Sequence, residues 1–295
     1  MKLKGIDKLY EKLPDYPGKR LVILPIFGLL VLLLGLAFML VLDTVSRLMP
    51  GVPLLAALEP LLPVLGSVIT VGAGISFVRR LWTKRDEAKA KLGELAYQRM
   101  VLRGLTGVFL LFSALIHSFI SVRSLPPGPP VNDITTQLST SFLSMVGVPV
   151  VLDVGLRIIG GGLLLLVAVL TAARALFTFG FDYMIVVYLY FPEESEIQNH
   201  EIYSVVRHPA YFSLALASLA AILSRMSIYS IVLAFVIFVG LLTHIKLEEA
   251  ELVERFGNSY SEYMKKVPGL YIRRRDIRSY FRFLVGRSKF ISDTD

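Results

Sequence analysis

Apolar and polar positions along the 295-residue chain fall into blocks rather than alternating. Residues 21–42, LVILPIFGLLVLLLGLAFMLVL, carry no charge, and at ~1.5 Å per helical residue they are long enough to cross a hydrocarbon core of ~30 Å. No small-residue cleavage site follows a short core, so the block reads as an anchor and not as a removable signal; Pro25 lies near its start, where a missing N–H costs least. Further apolar blocks at 61–78, 101–122 and 150–173 predict three more spans. The last block, 210–247, is long enough for two short helices that enter a bilayer and return, which puts its flanking polar segments on one side. The expected fold is all-α: a polytopic integral membrane helical bundle of about six transmembrane helices, closed by a C-terminal helical hairpin.

The polar blocks orient these spans. Lys2, Lys4, Lys8, Lys12, Lys19 and Arg20 make the start basic, residues 79–103 are rich in Lys and Arg at helical spacing, and IRRRDIRSYFRF makes the end basic again. By the positive-inside rule all three are cytoplasmic. The 79–103 segment reads as a charged helix on the membrane surface, with a partner-docking surface as the lesser reading. Residues 43–60, with few charges and several prolines, suit an outer loop; the prolines of SLPPGPPVND exclude helix there; 134–149 suit a half-buried outer segment. ALFTFGFDYMIVVYLYF, 175–191, contains Asp182 and is short for a span, so it is expected to stay at the interface or to wall a cavity; if it crossed, the RRR cluster would lie outside. Two regions result: 1–190, an N-terminal transmembrane part, and 191–295, a cofactor-binding part.

Composition agrees with a membrane protein: 55% of residues are hydrophobic and mean hydropathy is +0.65. The absence of cysteine removes disulfides, thiolate metal sites, cysteine nucleophiles and lipidated cysteines. A net charge of +8, clustered beside apolar runs, points to anionic lipid headgroups as partners and away from nucleic acid. Together with the lack of a eukaryotic sorting signal, this composition favours a prokaryotic plasma membrane.

Candidate chemistry gathers late in the chain. Arg207 and His208 precede Pro209, a residue favoured at the first helical position, so both are expected beside a helix N-terminus, where free N–H groups attract anions. A plain alternative is that Arg207 meets lipid phosphate and His208 caps the helix. On the second arm His244 and Glu248 share a helix face while Glu249 points about 100° away. A carboxylate there suits a ribose diol or a cation, and equally a solvated helix leaving the membrane. His117 reads as an interhelical hydrogen-bonding residue with no second His at metal spacing, and Gly160, Gly161 and Gly162 as a helix-packing stripe. No Ser, His and Asp nucleophile arrangement is apparent, and no metal site is expected.

YSVVRHPAY, then the hairpin, then EE at 248–249, then FGNSYSEYMKKVP resembles the C-terminal half of the isoprenylcysteine carboxyl methyltransferase family and its phospholipid N-methyltransferase relatives, whose pattern runs GPYxxxRHPxY, EE, FGxxYxxYxxxVP. The resemblance spans Tyr203 to Pro268. It implies an integral membrane enzyme that binds S-adenosylmethionine between hairpin and C-terminal segment, without a Rossmann domain, and methylates a membrane-borne lipid or prenylated acceptor, carboxylate O-methylation first. It implies cofactor contacts at Tyr203, His208, Tyr211 and Glu248, with His200 beside them, and places Arg207, Glu248 and Glu249 at the reacting end: Arg207 to hold a carboxylate, a glutamate as base for an amine. Glu201 and Ile202 stand where the family has Gly-Pro, which is expected to remove a tight turn and put a charge beside the pocket. The alternatives are an NADPH-dependent reductase of the sterol reductase type, which shares the hairpin, and a non-enzymatic membrane protein on the same fold. Tyr260 and the EE pair favour methyl transfer over reduction.

Overall fold

A computed structural model describes residues 5–180, 182 and 187–286; Lys2, Lys4 and the middle of the 175–191 segment lie outside the described residues. Every regular element among the described residues is helical. Five of the helical stretches are long and apolar enough to cross a membrane, and a shorter apolar helix completes the hairpin, so the chain is a polytopic helical membrane protein. We label α1 (Ile6–Lys12), α2 (Ile23–Leu48), α3 (Leu62–Thr83), α4 (Arg85–Leu92), α5 (Ala96–Ser118), α6 (Val150–Phe179), α7 (Val187–Tyr190), α8 (Pro209–Arg225), α9 (Ile228–Phe256), α10 (Asn258–Lys266) and α11 (Ile277–Leu284).

Close helix approach is set by glycines at two crossings. A Cβ on Gly107 of α5 would sit 2.5 Å from Val78 Cγ2 and 2.6 Å from the Gly74 carbonyl oxygen of α3, so these backbones touch. Of the 160–162 stripe, Gly161 alone does this work: a Cβ there would sit 2.0 Å from Ser224 Oγ of α8, whereas Gly162 faces open space. The outward faces of α2 and α6 carry exposed Leu, Ile and Val, as a lipid-facing surface requires.

One end of the bundle is tied by buried charge. His117 of α5, fully buried, shares a 2.8 Å hydrogen bond with Asp43 of α2 through Nε2 and lies 3.3 Å from Ser67 of α3 through Nδ1. A Ser, His and Asp chain therefore does exist, joined from residues too far apart in sequence to be seen; its members are 0–1% exposed, so it acts as an interhelical clasp, the role expected of His117. Beside it Ser46 donates to Glu59 at 2.9 Å, Arg47 donates to the Leu125 and Gly128 carbonyls, and Arg225 donates to Ser118 O at 3.1 Å.

The other end carries the motifs. The basic 79–103 stretch is not one helix: it breaks after Thr83 and again at Gly93, whose φ of 55° lies in the left-handed region. Nor is α4 only a solvated helix, because Arg85 pairs with Glu251 of α9 at 2.6 Å and Lys89 donates to Tyr190 O at 2.9 Å. α6 continues past the expected 173 to Phe179 and stops at Gly180, φ 108°. The chain then packs α7 against α1 and the first turn of α5, in a core holding Leu9, Leu13, Tyr97 and Met100. The described part of 175–191 thus returns along the end at which α6 finished and does not cross.

Candidate active site

A cavity opens at this end between α3, α7, the 195–211 segment, the last turns of α9 and α10. The 195–211 segment is held by its own turn. Glu201, at the position where the family pattern has glycine, adopts φ 48°, so the tight turn is kept by a residue that carries a side chain. That side chain accepts a 2.6 Å bond from Thr178 of α6 and does not line the cavity, which corrects the expected charge beside the pocket. Val206 and Ile202 are fully buried under this turn and fix its register.

Arg207 and His208 follow at the start of α8, as expected, but their work is different. Arg207 donates through Nε and Nη2 to Glu249 Oε1 at 3.2 and 2.6 Å, and through Nη1 to the carbonyls of Met264, at 3.0 Å, and Val267. Its backbone N–H reaches Pro268 O at 2.8 Å, and that of His208 reaches Gly269 O at 3.3 Å. His208 Nε2 shares the same Glu249 oxygen at 2.9 Å. Arg207, which lines the cavity, thus fastens the chain after α10 onto the hairpin, and most of its donors are taken up by these bonds. Glu249, bound by two partners, is not placed to serve as a base.

The 100° between neighbouring helical residues sends Glu248 the other way, into the cavity. Its Oε2 is buried, has no hydrogen-bond partner, and lies 3.9 Å from His208 Nδ1. Tyr203, His208 and Tyr211 line the same wall. His200 is exposed and outside the lining, so the structure does not bring it to the other candidates. Burial pushes the Tyr203 phenol well above its ordinary range, and the charge of Glu248 pushes it the same way; Tyr260 rises for the same two reasons, in the same order. Both rings therefore stay protonated at neutral pH. Tyr263 donates to Tyr203 O at 2.6 Å, which ties α10 to the turn.

Several lining residues had no signal in the motif reading. Trp82 comes from α3, in the N-terminal part; Gln198 from the segment before the turn; Arg255 and Glu251 from α9. Arg255 donates to Glu251 at 2.9 Å and to Ser195 at 3.2 Å. The i, i+4 spacing of Glu251 and Arg255 was visible in sequence, but their facing a cavity was not.

Four buried polar atoms of this lining lack any hydrogen-bond partner: the acceptors Glu248 Oε2 and Gln198 Oε1, and the donors Trp82 Nε1 and Arg255 Nε. Five more such atoms lie at the His117 end, on Asp43, Arg47, Thr135 and Arg225, so lack of a partner does not by itself single out this cavity; what does is that two donors and two acceptors gather around one space, where a polar ligand bringing both kinds of group would complete them. Neither a curated protein nor a solved structure matches the chain. Residues 156–259, which supply all of the cavity lining except Trp82, Tyr260 and Tyr263, match the family described as phospholipid methyltransferase, so this part of the chain is similar to that family.

Proposed function

We propose that the protein is an S-adenosylmethionine-dependent methyltransferase whose cavity takes the methyl donor and whose acceptor is a membrane-borne amphiphile. The observation that carries this reading is the set of four unpartnered atoms around the cavity, two acceptors and two donors, on a wall that belongs to the family match. The donor molecule carries an ammonium, a carboxylate, a ribose diol and an adenine, and thus both kinds of complement. Glu248 and Gln198 would hold its N–H or O–H groups, Arg255 and Trp82 its acceptor atoms, with the aromatic faces of Tyr203 and Tyr211 around them. When bound, it supplies an already electrophilic methyl group, so the protein's own residues chiefly orient, neutralise and exclude water.

Two acceptor chemistries are weighed by the side chains around the cavity. A carboxylate acceptor meets two guanidinium groups that are already paired, Arg207 with Glu249 and Arg255 with Glu251, of which Arg255 keeps an Nε without a partner. An amine acceptor would lose its proton to Glu248, the carboxylate of the pair that has an oxygen to spare. The basic segments at the cavity end support a cytoplasmic position for that end under the positive-inside rule.

Calorimetric titration of the detergent-purified protein with S-adenosylmethionine and, separately, NADPH tests the reading. Micromolar binding of the methyl donor, weakened in Glu248→Ala and His208→Ala, is the expected result. Binding of NADPH alone would move the protein to the reductase class, and binding of neither would remove the case for this activity.

A further inference from the structure

The chain has one tryptophan, and it stands in the cavity wall at the last turn of α3, outside the family match. We infer that Trp82 is a ligand-binding residue of this site, its indole N–H donating to an acceptor atom, a ring nitrogen or a carboxylate oxygen, of the nucleoside-bearing methyl donor. The inference rests on the methyltransferase reading above.

A tryptophan at the end of a membrane span ordinarily belongs to the interfacial belt, where its N–H meets headgroups and water. Trp82 departs from that pattern, because its Nε1 is buried and has no partner. Buried indole N–H groups usually find an acceptor, and an unmet one beside a cavity is a donor left for what the cavity holds. The helix end that carries the ring is also held in place. Just before it in the chain, the Leu81 carbonyl accepts from Tyr190 of α7 at 3.1 Å; just after, Arg85 is paired with Glu251 at 2.6 Å. The face toward α9 meets His244 edge-on, centroids 5.0 Å apart, and His244 meets Tyr211 at 5.4 Å. Three rings from α3, α9 and α8 thus form one row, and the indole is fixed before any ligand arrives, which lowers the cost of binding. The consequence is that the N-terminal spans supply part of the ligand's recognition as well as a frame for it.

Because Trp82 is the sole tryptophan, its emission reports from this wall alone. The experiment titrates the full chain in detergent with S-adenosylhomocysteine, reading calorimetric heat and tryptophan emission together, and repeats the calorimetry with Trp82→Phe, which keeps a ring against His244 and removes the N–H. We expect a saturable emission change with the calorimetric midpoint, and affinity weaker in the variant by about three- to ten-fold for a ring-nitrogen acceptor and by more than about ten-fold for a carboxylate oxygen. Heat without an emission change, or an unchanged affinity in Trp82→Phe, overturns the assignment and leaves the methyltransferase reading standing. Neither heat nor emission change from the wild-type protein overturns both. If the variant fails to fold, the wild-type emission titration decides.

Discussion

Replacing Arg207 with alanine tests whether this residue clamps or catalyses. The guanidinium makes two bonds to Glu249 and two to the Met264 and Val267 carbonyls, with its side chain 10% exposed and that of Glu249 18% exposed. Removing one partner of a fully buried pair costs about 3–5 kcal/mol, because the other charge is stranded; the partial exposure here lowers that to about 2–3. Two carbonyls losing a charged donor add roughly 1 kcal/mol each. The sum, about 4–5 kcal/mol, is a factor of about 10³ in a folding equilibrium and corresponds to roughly 10 °C or more in melting temperature. Glu249→Gln, which keeps shape and one acceptor, should cost about half as much, and the double variant should cost less than the two singles together. Thermal unfolding in detergent measures all three, alongside calorimetric binding of S-adenosylmethionine, which should weaken in step as the segment at 264–269 detaches. An Arg207→Ala protein that melts like wild type and binds the methyl donor unchanged, yet no longer turns over, would refute the clamp and return Arg207 to the substrate.

Three smaller perturbations check the frame. Asp43→Asn, which deprives His117 of its charged partner at 2.8 Å in a fully buried clasp, should lower stability by about 2–3 kcal/mol in thermal unfolding while leaving the ligand affinity of the folded fraction intact. Gly107→Ala should cost about 1–3 kcal/mol, since the new methyl meets a backbone oxygen at 2.6 Å that cannot turn aside; a neutral result would mean that α3 and α5 slide apart freely. At Glu201, held at φ 48°, glycine relieves about 1 kcal/mol of left-handed strain and forfeits the bond from Thr178, so Glu201→Gly should melt near wild type whereas Glu201→Ala, which forfeits the bond and keeps the strain, should melt lower. Equal melting of these two variants would rule out the strain.

The spans and the hairpin were legible because charge-free blocks of helical length leave few alternatives in a bilayer, and RHP, EE and FGxxYxxY sit at fixed offsets that a single pass can see. Helix periodicity also separated Glu248 from Glu249, although only the fold shows that the first enters the cavity and the second is bound to Arg207. What sequence could not carry was contact at long range. Arg207 looked like a ligand-binding cation because its partners, Glu249 and the 264–267 carbonyls, lie 42 to 60 residues away. Trp82 drew no reading because the ring it meets, His244, and most of the cavity it lines belong to the other half of the chain. The Ser67, His117 and Asp43 clasp was invisible for the same reason. Glu201 is the reverse case: the residue type argued against a tight turn, and the buried Ile202 and Val206 beside it impose the turn regardless.

The depth of the cavity follows from the unequal arms of the hairpin, and it bears on how an amphiphile would reach it. Both arms meet at Met226 and Ser227, at the end where Arg225 is anchored to Ser118. From there α8 has 17 residues, ~26 Å, less than the ~30 Å hydrocarbon core, while α9 has 29 residues, ~44 Å, and continues beyond it. With the bend at Met226 and Ser227 set at one edge of the hydrocarbon, Arg207 and His208 fall near the opposite acyl boundary, and the final turns of α9, with Glu251 and Arg255, fall beyond it. A cavity between these levels suits a water-soluble methyl donor arriving from above and a lipid tail arriving from the side. On the proposed function, acceptor analogues with progressively shorter tails should lose kcat/KM, by up to about ten-fold for every two methylenes removed, until the tail no longer reaches the bilayer. A tailless analogue methylated as efficiently as the parent in the same detergent would show that the acceptor comes from water, and that the short first arm has some other reason.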